Sequence, residues 1–260
     1  MSRVLIATES GDVSLDRLGE GPDLLILHSL LTDRHAFDPV VPALTERWRV
    51  NLVDLPGFGE SSPVDATIDA YADAVGALLE AGGFAPDTTA VMGNGLGGFV
   101  ALGAAIRHGD RFVRLALVGC GVAFPDTDRQ AFTGMAAAVE SGGMEAVVEV
   151  AVRRIYPAAH LVANPHLVDE RRRVLLDTDP AAFVTACRAL HAVDYRTQAG
   201  SITNPTLIVV GEDDGPTPPA LAREVQSAIA GSTLVELAGV GHAPQLQDPG
   251  RFLAAIEGFV

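Results

Sequence analysis

Four short segments of this chain carry residue types and spacings suited to proton transfer and nucleophilic chemistry. Val91-Met92-Gly93-Asn94-Gly95-Leu96-Gly97-Gly98 has the punctuation of a nucleophile elbow, the sharp strand-to-helix turn written Gly-x-Ser-x-Gly. Its central residue, Gly95, has no side chain, so no covalent intermediate can form at that position. Far downstream, Gly211-Glu212-Asp213-Asp214 and Gly239-Val240-Gly241-His242-Ala243-Pro244 each follow an apolar run. An imidazole shuttles protons near neutral pH when a carboxylate fixes its tautomer, and the order elbow, acid, histidine at 95, 214 and 242 supplies such a pair. The Gly-x-x-Asp spacing from Gly211 selects Asp214, leaving Glu212 and Asp213 as solvated neighbours. His28-Ser29-Leu30-Leu31-Thr32-Asp33 follows another apolar run, where backbone N–H groups can face a developing oxyanion. His28 and Ser29 read there as scaffold. Ser29 is also the hydroxyl expected nearest to the elbow, so a displaced nucleophile stays open.

These segments must be positioned by strands. Short apolar runs at 24–27, 50–53, 89–92, 115–118, 207–210 and 233–235 are of the kind buried on both sides, and 4–6 with 13–15 read as an opening pair joined at Gly11-Asp12. Helical patterns lie between them, such as Ile68, Tyr71, Val75, Leu78 and Leu79 on one face, and a last helix with Phe252, Ile256 and Phe259. The alternation predicts an α/β fold with a mainly parallel sheet covered on both faces. From 125 to 200 no strand pattern appears, only helical stretches broken by Gly142-Gly143, Pro157, Pro165 and Pro180. This segment is expected as a helical cap inserted into a core formed by 1–124 and 201–260.

Composition narrows the chemistry. The net charge of −15 repels nucleic acid and anionic membrane surfaces, which leaves a small-molecule substrate as the expected partner and self-association open. All eighteen basic residues are arginine, which excludes Schiff-base chemistry and a phosphate-loop lysine. Cys120 and Cys187 make no disulfide framework and read as small buried hydrophobes. The start of the chain shows no targeting pattern and no apolar run is long enough to span a bilayer, so a cytoplasmic protein is expected. His160, His166 and His191 lack metal-ligand spacing, and no metal is expected. Arg153, Arg154, Arg188 and the run Arg171-Arg172-Arg173 read mainly as a solvated helical face, with Arg154 and Arg188 the expected candidates for a fork on a substrate carboxylate.

Gly93, Gly95 and Gly98 also satisfy the Gly-x-Gly-x-x-Gly dinucleotide fingerprint. That motif belongs in a first strand–helix unit with an acidic residue ending the next strand, and no Asp or Glu occurs from Arg111 through Phe124. No cofactor is therefore expected.

Over nearly its whole length the chain resembles the α/β-hydrolases. It is most similar to the 3-oxoadipate enol-lactonase-like branch, through residues 28–33 and through Ala186-Cys187-Arg188-Ala189-Leu190 followed by Asp194-Tyr195-Arg196. The resemblance implies an eight-stranded sheet with a helical cap that hydrolyses a small ester or lactone without a cofactor. It implies Asp214 as the acid, His242 as the base, and the N–H groups of Leu30 and Leu96 as the oxyanion hole. The chain departs from the family at Gly95. An elbow nucleophile sits at positive φ, at a cost of about 1–3 kcal/mol that glycine does not incur. Three readings fit. The first is a capped hydrolase for a small ester, lactone or β-dicarbonyl compound whose serine has been substituted, with water attacking in the space left. The others are a cofactor-independent enzyme using His242 and Asp214 as a general base, and a non-catalytic small-ligand-binding protein. The retained acid, histidine and oxyanion loop favour the first.

Overall fold

The computed structural model describes residues 2–260. Eight strands make one sheet: β1 (Ser2–Thr8), β2 (Gly11–Leu18), β3 (Asp23–Leu27), β4 (Arg49–Val53), β5 (Ala90–Asn94), β6 (Arg114–Val118), β7 (Thr206–Gly211) and β8 (Thr233–Leu237). Their spatial order is β1-β2-β4-β3-β5-β6-β7-β8, with antiparallel pairing only where β2 meets β1 and β4. Successive strand side chains point to opposite faces, and both faces are apolar. Leu25, Leu27, Val91, Leu115, Leu117, Ile208 and Val210 belong to one buried layer. Leu24, Ile26, Ala90, Met92, Ala116, Val118, Leu207 and Val209 belong to the other.

Helices cover both layers. On the first face lie α2 (Ile68–Ala81) and α3 (Leu96–His108). Helix α2 starts where the Thr67 side chain accepts the Ala70 N–H, and the expected stripe of Ile68, Tyr71, Val75, Leu78 and Leu79 is buried. The other face carries the one-turn α1 (Val41–Leu44) and α11 (Pro249–Ile256), which follows β8 and the short α10 (Pro244–Gln247), whereas α9 (Pro219–Ala228), ahead of β8, packs Leu221, Ala222 and Val225 into the first layer. Between β6 and β7 the chain makes five helices: α4 (Asp126–Gly142), α5 (Val148–Ile155), α6 (Ala158–Ala163), α7 (His166–Leu176) and α8 (Pro180–Ala192). Their apolar sides, including Phe132, Met135, Val148, Ile155, Phe183 and Leu190, join the first layer. The fold is thus α/β, a mostly parallel eight-stranded sheet with a helical cap. No described helix is long and apolar enough to cross a membrane.

Two local expectations change. The opening hairpin turns at Glu9-Ser10, because the Thr8 hydroxyl bridges Ser10 N–H and the Gly11 carbonyl, so Gly11 starts β2. The last helix ends at Ile256, and Phe259 lies in the turn beyond it.

One topological point positions the chemistry. From β3 the chain first adds β4 on one side, then returns to place β5 on the other. The strand order reverses between β3 and β5, and the crevice outside the carboxyl ends at such a point is where open α/β sheets bind ligands. The loop 28–33 leaves β3 there, and the Gly95 turn leaves β5.

Candidate active site

His242 and Asp214 are delivered by the loops after β8 and β7 and are 3% and 2% exposed, so their contacts are shielded from water. His242 Nδ1 lies 3.0 and 3.1 Å from the two carboxylate oxygens of Asp214. That carboxylate also accepts the Thr217 N–H at 2.9 Å and the Thr217 hydroxyl at 2.9 Å. Because the carboxylate can only accept, Nδ1 carries the proton and donates it, which leaves Nε2 with a lone pair. A Cβ at Gly119, after β6, would come within 2.8 Å of Asp214 Oδ2, so the absence of a side chain there makes room for the pair. Asn94 anchors the histidine loop by donating to the His242 carbonyl at 3.0 Å, and Gln245 Nε2 donates to Asn94 Oδ1 at 3.1 Å. Thr217, Asn94 and Gly119 were not singled out from the sequence. The Asp-x-x-Thr step ahead of Pro218-Pro219 was the available signal for Thr217.

The lone pair of Nε2 meets a hydroxyl. Ser29 Oγ lies 3.1 Å from His242 Nε2, in a buried setting. The turn after β5 has the expected elbow shape, with Gly95 at φ 54° and ψ −118°. A Cβ built on Gly95 would lie 2.7 Å from His242 Nε2 and 2.9 Å from Ser29 Cβ, and would overlap Ser29 Oγ. The space beside residue 95 expected to receive water is therefore taken by the Ser29 side chain. The glycine fingerprint has a structural cause as well: a Cβ at Gly93 would overlap the Gly97 carbonyl, and one at Gly98 would lie 2.8 Å from Cys120 Cβ, so these glycines serve close packing of strand and helix.

The two expected oxyanion donors are held by their own peptide planes. His28 Nδ1 donates to the Ser29 carbonyl at 2.9 Å, and Thr32 N–H donates to it at 3.3 Å. The described residues contain no cis peptide bond, so the Leu30 N–H points away from that carbonyl. In the same way the Gly95 carbonyl accepts Phe99 N–H at 3.1 Å, which turns Leu96 N–H out of the helix start. Among the described residues neither N–H has a protein acceptor, and both residues line one narrow cavity. His28 itself is saturated. Its Nε2 accepts the Leu55 N–H at 3.2 Å, and burial pushes its pKa below the ordinary histidine range. It braces the loop, the scaffold role expected of it, and its burial favours the neutral imidazole.

The cavity measures about 30 Å³ and joins Ser29, Gly95 and His242 to Phe99, Phe124, Phe132, Met135, Leu190 and Arg154. Arg154, from α5, faces it without an ion-pair partner among the described residues. Arg188 does not: it is exposed on α8 and paired with Glu140 of α4 at 2.5 Å, because α8 turns Cys187, Ala189 and Leu190 inward instead. Arg171, expected in the solvated face, is 5% exposed and bonded to Glu170. Cys120 and Cys187 are buried, and burial raises the Cys187 thiol to about 12. His160 stacks on Tyr156, and His191 contacts Thr133.

Sheet order, helical insertion and elbow turn define the α/β-hydrolase class. The Alpha/beta hydrolase family matches residues 24–256, and the chain belongs to that family. It is 32% identical over 259 residues to the pimeloyl-[acyl-carrier protein] methyl ester esterase of Aeromonas hydrophila subsp. hydrophila, covering 95% of this chain and 99% of the relative. The enol-lactonase from Burkholderia xenovorans superposes with a TM-score of 0.91 at 27% identity, over 98% of this chain and 99% of that one. A thermophilic esterase from Thermogutta terrifontis, with malate bound, superposes at 0.88 with 26% identity, over 100% and 98%.

Proposed function

We propose that this protein is a cofactor-independent carboxylic ester or lactone hydrolase acting on a small substrate in the cytoplasm. The observation that carries the reading is the Asp214–His242 pair, with Nε2 turned into a cavity bordered by the Leu30 and Leu96 amides. Proton transfer by such an imidazole contributes about 10²–10⁴-fold, and each fixed oxyanion donor about 10²–10³-fold. Four of the cavity-lining side chains are Phe99, Phe124, Phe132 and Met135, which suit a compact apolar acyl or ring portion. Arg154 suits a carboxylate on the same molecule, bound as a charge-assisted fork. The relatives named as esterases and an enol-lactonase support the reaction class.

The test is the rate of hydrolysis of p-nitrophenyl acetate, p-nitrophenyl butyrate and a five-membered enol-lactone. The wild-type chain is expected to turn over at least one of them, and His242→Ala to lose about 10⁴-fold in kcat/KM. Undiminished hydrolysis by His242→Ala, or none by the wild type, contradicts the reading. Enolisation or ring opening that depends on His242 in a chain inert to every ester would favour the general-base alternative.

A further inference from the structure

We propose that Ser29, in the loop after β3, is the nucleophile of this enzyme in place of an elbow residue. The inference rests on the hydrolase reading above and adds the group that attacks.

Four observations converge on it. Among the described residues, Ser29 Oγ has one hydrogen-bond partner, His242 Nε2 at 3.1 Å. With Nδ1 donating to Asp214, Nε2 can only accept, so the Ser29 hydroxyl points its proton at the base. This is the nucleophile–base–orienter relay of covalent acyl transfer, assembled across 213 residues of sequence. Second, Ser29 Oγ occupies the space that a residue-95 side chain would fill, so the attacking oxygen has moved between loops without leaving the site.

Third, the oxyanion hole survives the move by exchanging roles. An elbow nucleophile draws one donor from the residue after itself and the other from the loop after β3. With Ser29 attacking, the residue after the nucleophile is Leu30 and the second donor is Leu96 at the elbow. The same two amides serve, and among the described residues neither has a protein acceptor. Fourth, Ser29 is held rigidly by His28 and Thr32, and no described residue other than glycine has positive φ. The hydroxyl is therefore presented without the backbone strain of an elbow, and Gly95 is the residue whose lack of a Cβ admits it.

The step balances without any other reactant. Ser29 Oγ bonds to the ester carbonyl carbon while its proton passes to His242 Nε2, and the carbonyl π electrons move to an oxyanion facing the Leu30 and Leu96 amides. Collapse breaks the bond to the alkoxy group, which takes the proton from Nε2 and leaves an acyl-Ser29 ester. Water then attacks that ester, giving its proton to Nε2, and Ser29 leaves with it. A lactone follows the same course, with its alkoxy group still tethered.

The experiment is labelling of the full chain with a fluorophosphonate, read by intact mass and peptide mapping, beside ester hydrolysis of Ser29→Ala. One adduct on the peptide containing Ser29 is expected, absent in Ser29→Ala and slowed at least 100-fold in His242→Ala. Ser29→Ala is expected to lose about 10³-fold or more in kcat/KM. A Ser29→Cys chain tests the position independently of that variant's folding: its new thiol should react with iodoacetamide ahead of buried Cys120 and Cys187. Hydrolysis that persists in Ser29→Ala, or an adduct elsewhere, overturns Ser29 as nucleophile and leaves the hydrolase reading standing. A wild-type chain that neither hydrolyses esters nor takes the label removes both.

Discussion

The loop after β3 and the turn after β5 meet the same cavity, yet they hold opposite halves of a nucleophile. The β5 turn keeps the strained geometry, φ 54° at Gly95, and lacks a side chain. The β3 loop has an ordinary backbone and carries the hydroxyl, 3.1 Å from the base. Roles at such a site follow from where an atom stands relative to His242 Nε2 and two amides, and the fold supplies more than one route to that point. A glycine at the elbow then makes physical sense as the partner of Ser29, whose side chain fills the space a Cβ at residue 95 would need.

Removing the base the two loops share should have the largest effect. His242→Ala is expected to lose about 10⁴-fold in kcat/KM, and Asp214→Asn a comparable amount through loss of the correct tautomer, both read by steady-state kinetics. Next comes crowding at the elbow. Gly95→Ala places a Cβ at positive φ, at about 1–3 kcal/mol, and against Ser29 and His242. Calorimetry should show Tm falling by about 2–4 °C for each kcal/mol lost, with activity falling through displacement of Ser29 Oγ. A Gly95→Ala chain as stable and active as wild type would break the pairing of the two loops.

A smaller, selective effect is expected at the cap. Arg154→Gln should raise KM about 10- to 100-fold for esters bearing a carboxylate and leave neutral esters nearly unchanged, whereas Arg188→Gln should change neither. Equal loss on both ester types would place Arg154 outside substrate recognition. The smallest effect concerns the brace beneath Ser29. Burial keeps folded His28 neutral to lower pH than the unfolded chain, whose histidines protonate below about 6.5. The unfolded state then binds more protons, so His28 subtracts stability as pH falls through that value. Urea titrations at neutral and mildly acidic pH should show a loss that is reduced in His28→Gln.

The inner sheet was legible because β3 to β7 are short apolar runs buried on both sides, whereas β8, expected to be buried in the same way, is an edge strand with Thr233 and Glu236 exposed. The cap was legible because prolines and glycines interrupt a segment without such runs. Asp214 and His242 were expected from their places after strands, and Leu30 and Leu96 only from the resemblance to the α/β-hydrolases; Leu30, Leu96 and His242 line one cavity. What escaped were contacts set by rotation and convergence. Arg154 and Arg188 share residue type and a cap helix setting, and only the faces that α5 and α8 turn inward separate them. Thr217 and Asn94 act through hydrogen bonds to loops brought together by the sheet. The Ser29–His242 contact joins the loops after the third and eighth strands, and no local pattern announces which rotamer closes it.

The most direct test of where the nucleophile resides is ester hydrolysis by Gly95→Ser. A serine restored to the elbow must push against Ser29 and His242, and we expect kcat/KM at or below the wild-type value. A rise of about 10³-fold or more would contradict the account, showing that the elbow is where the attacking oxygen belongs and that Ser29 is a bystander.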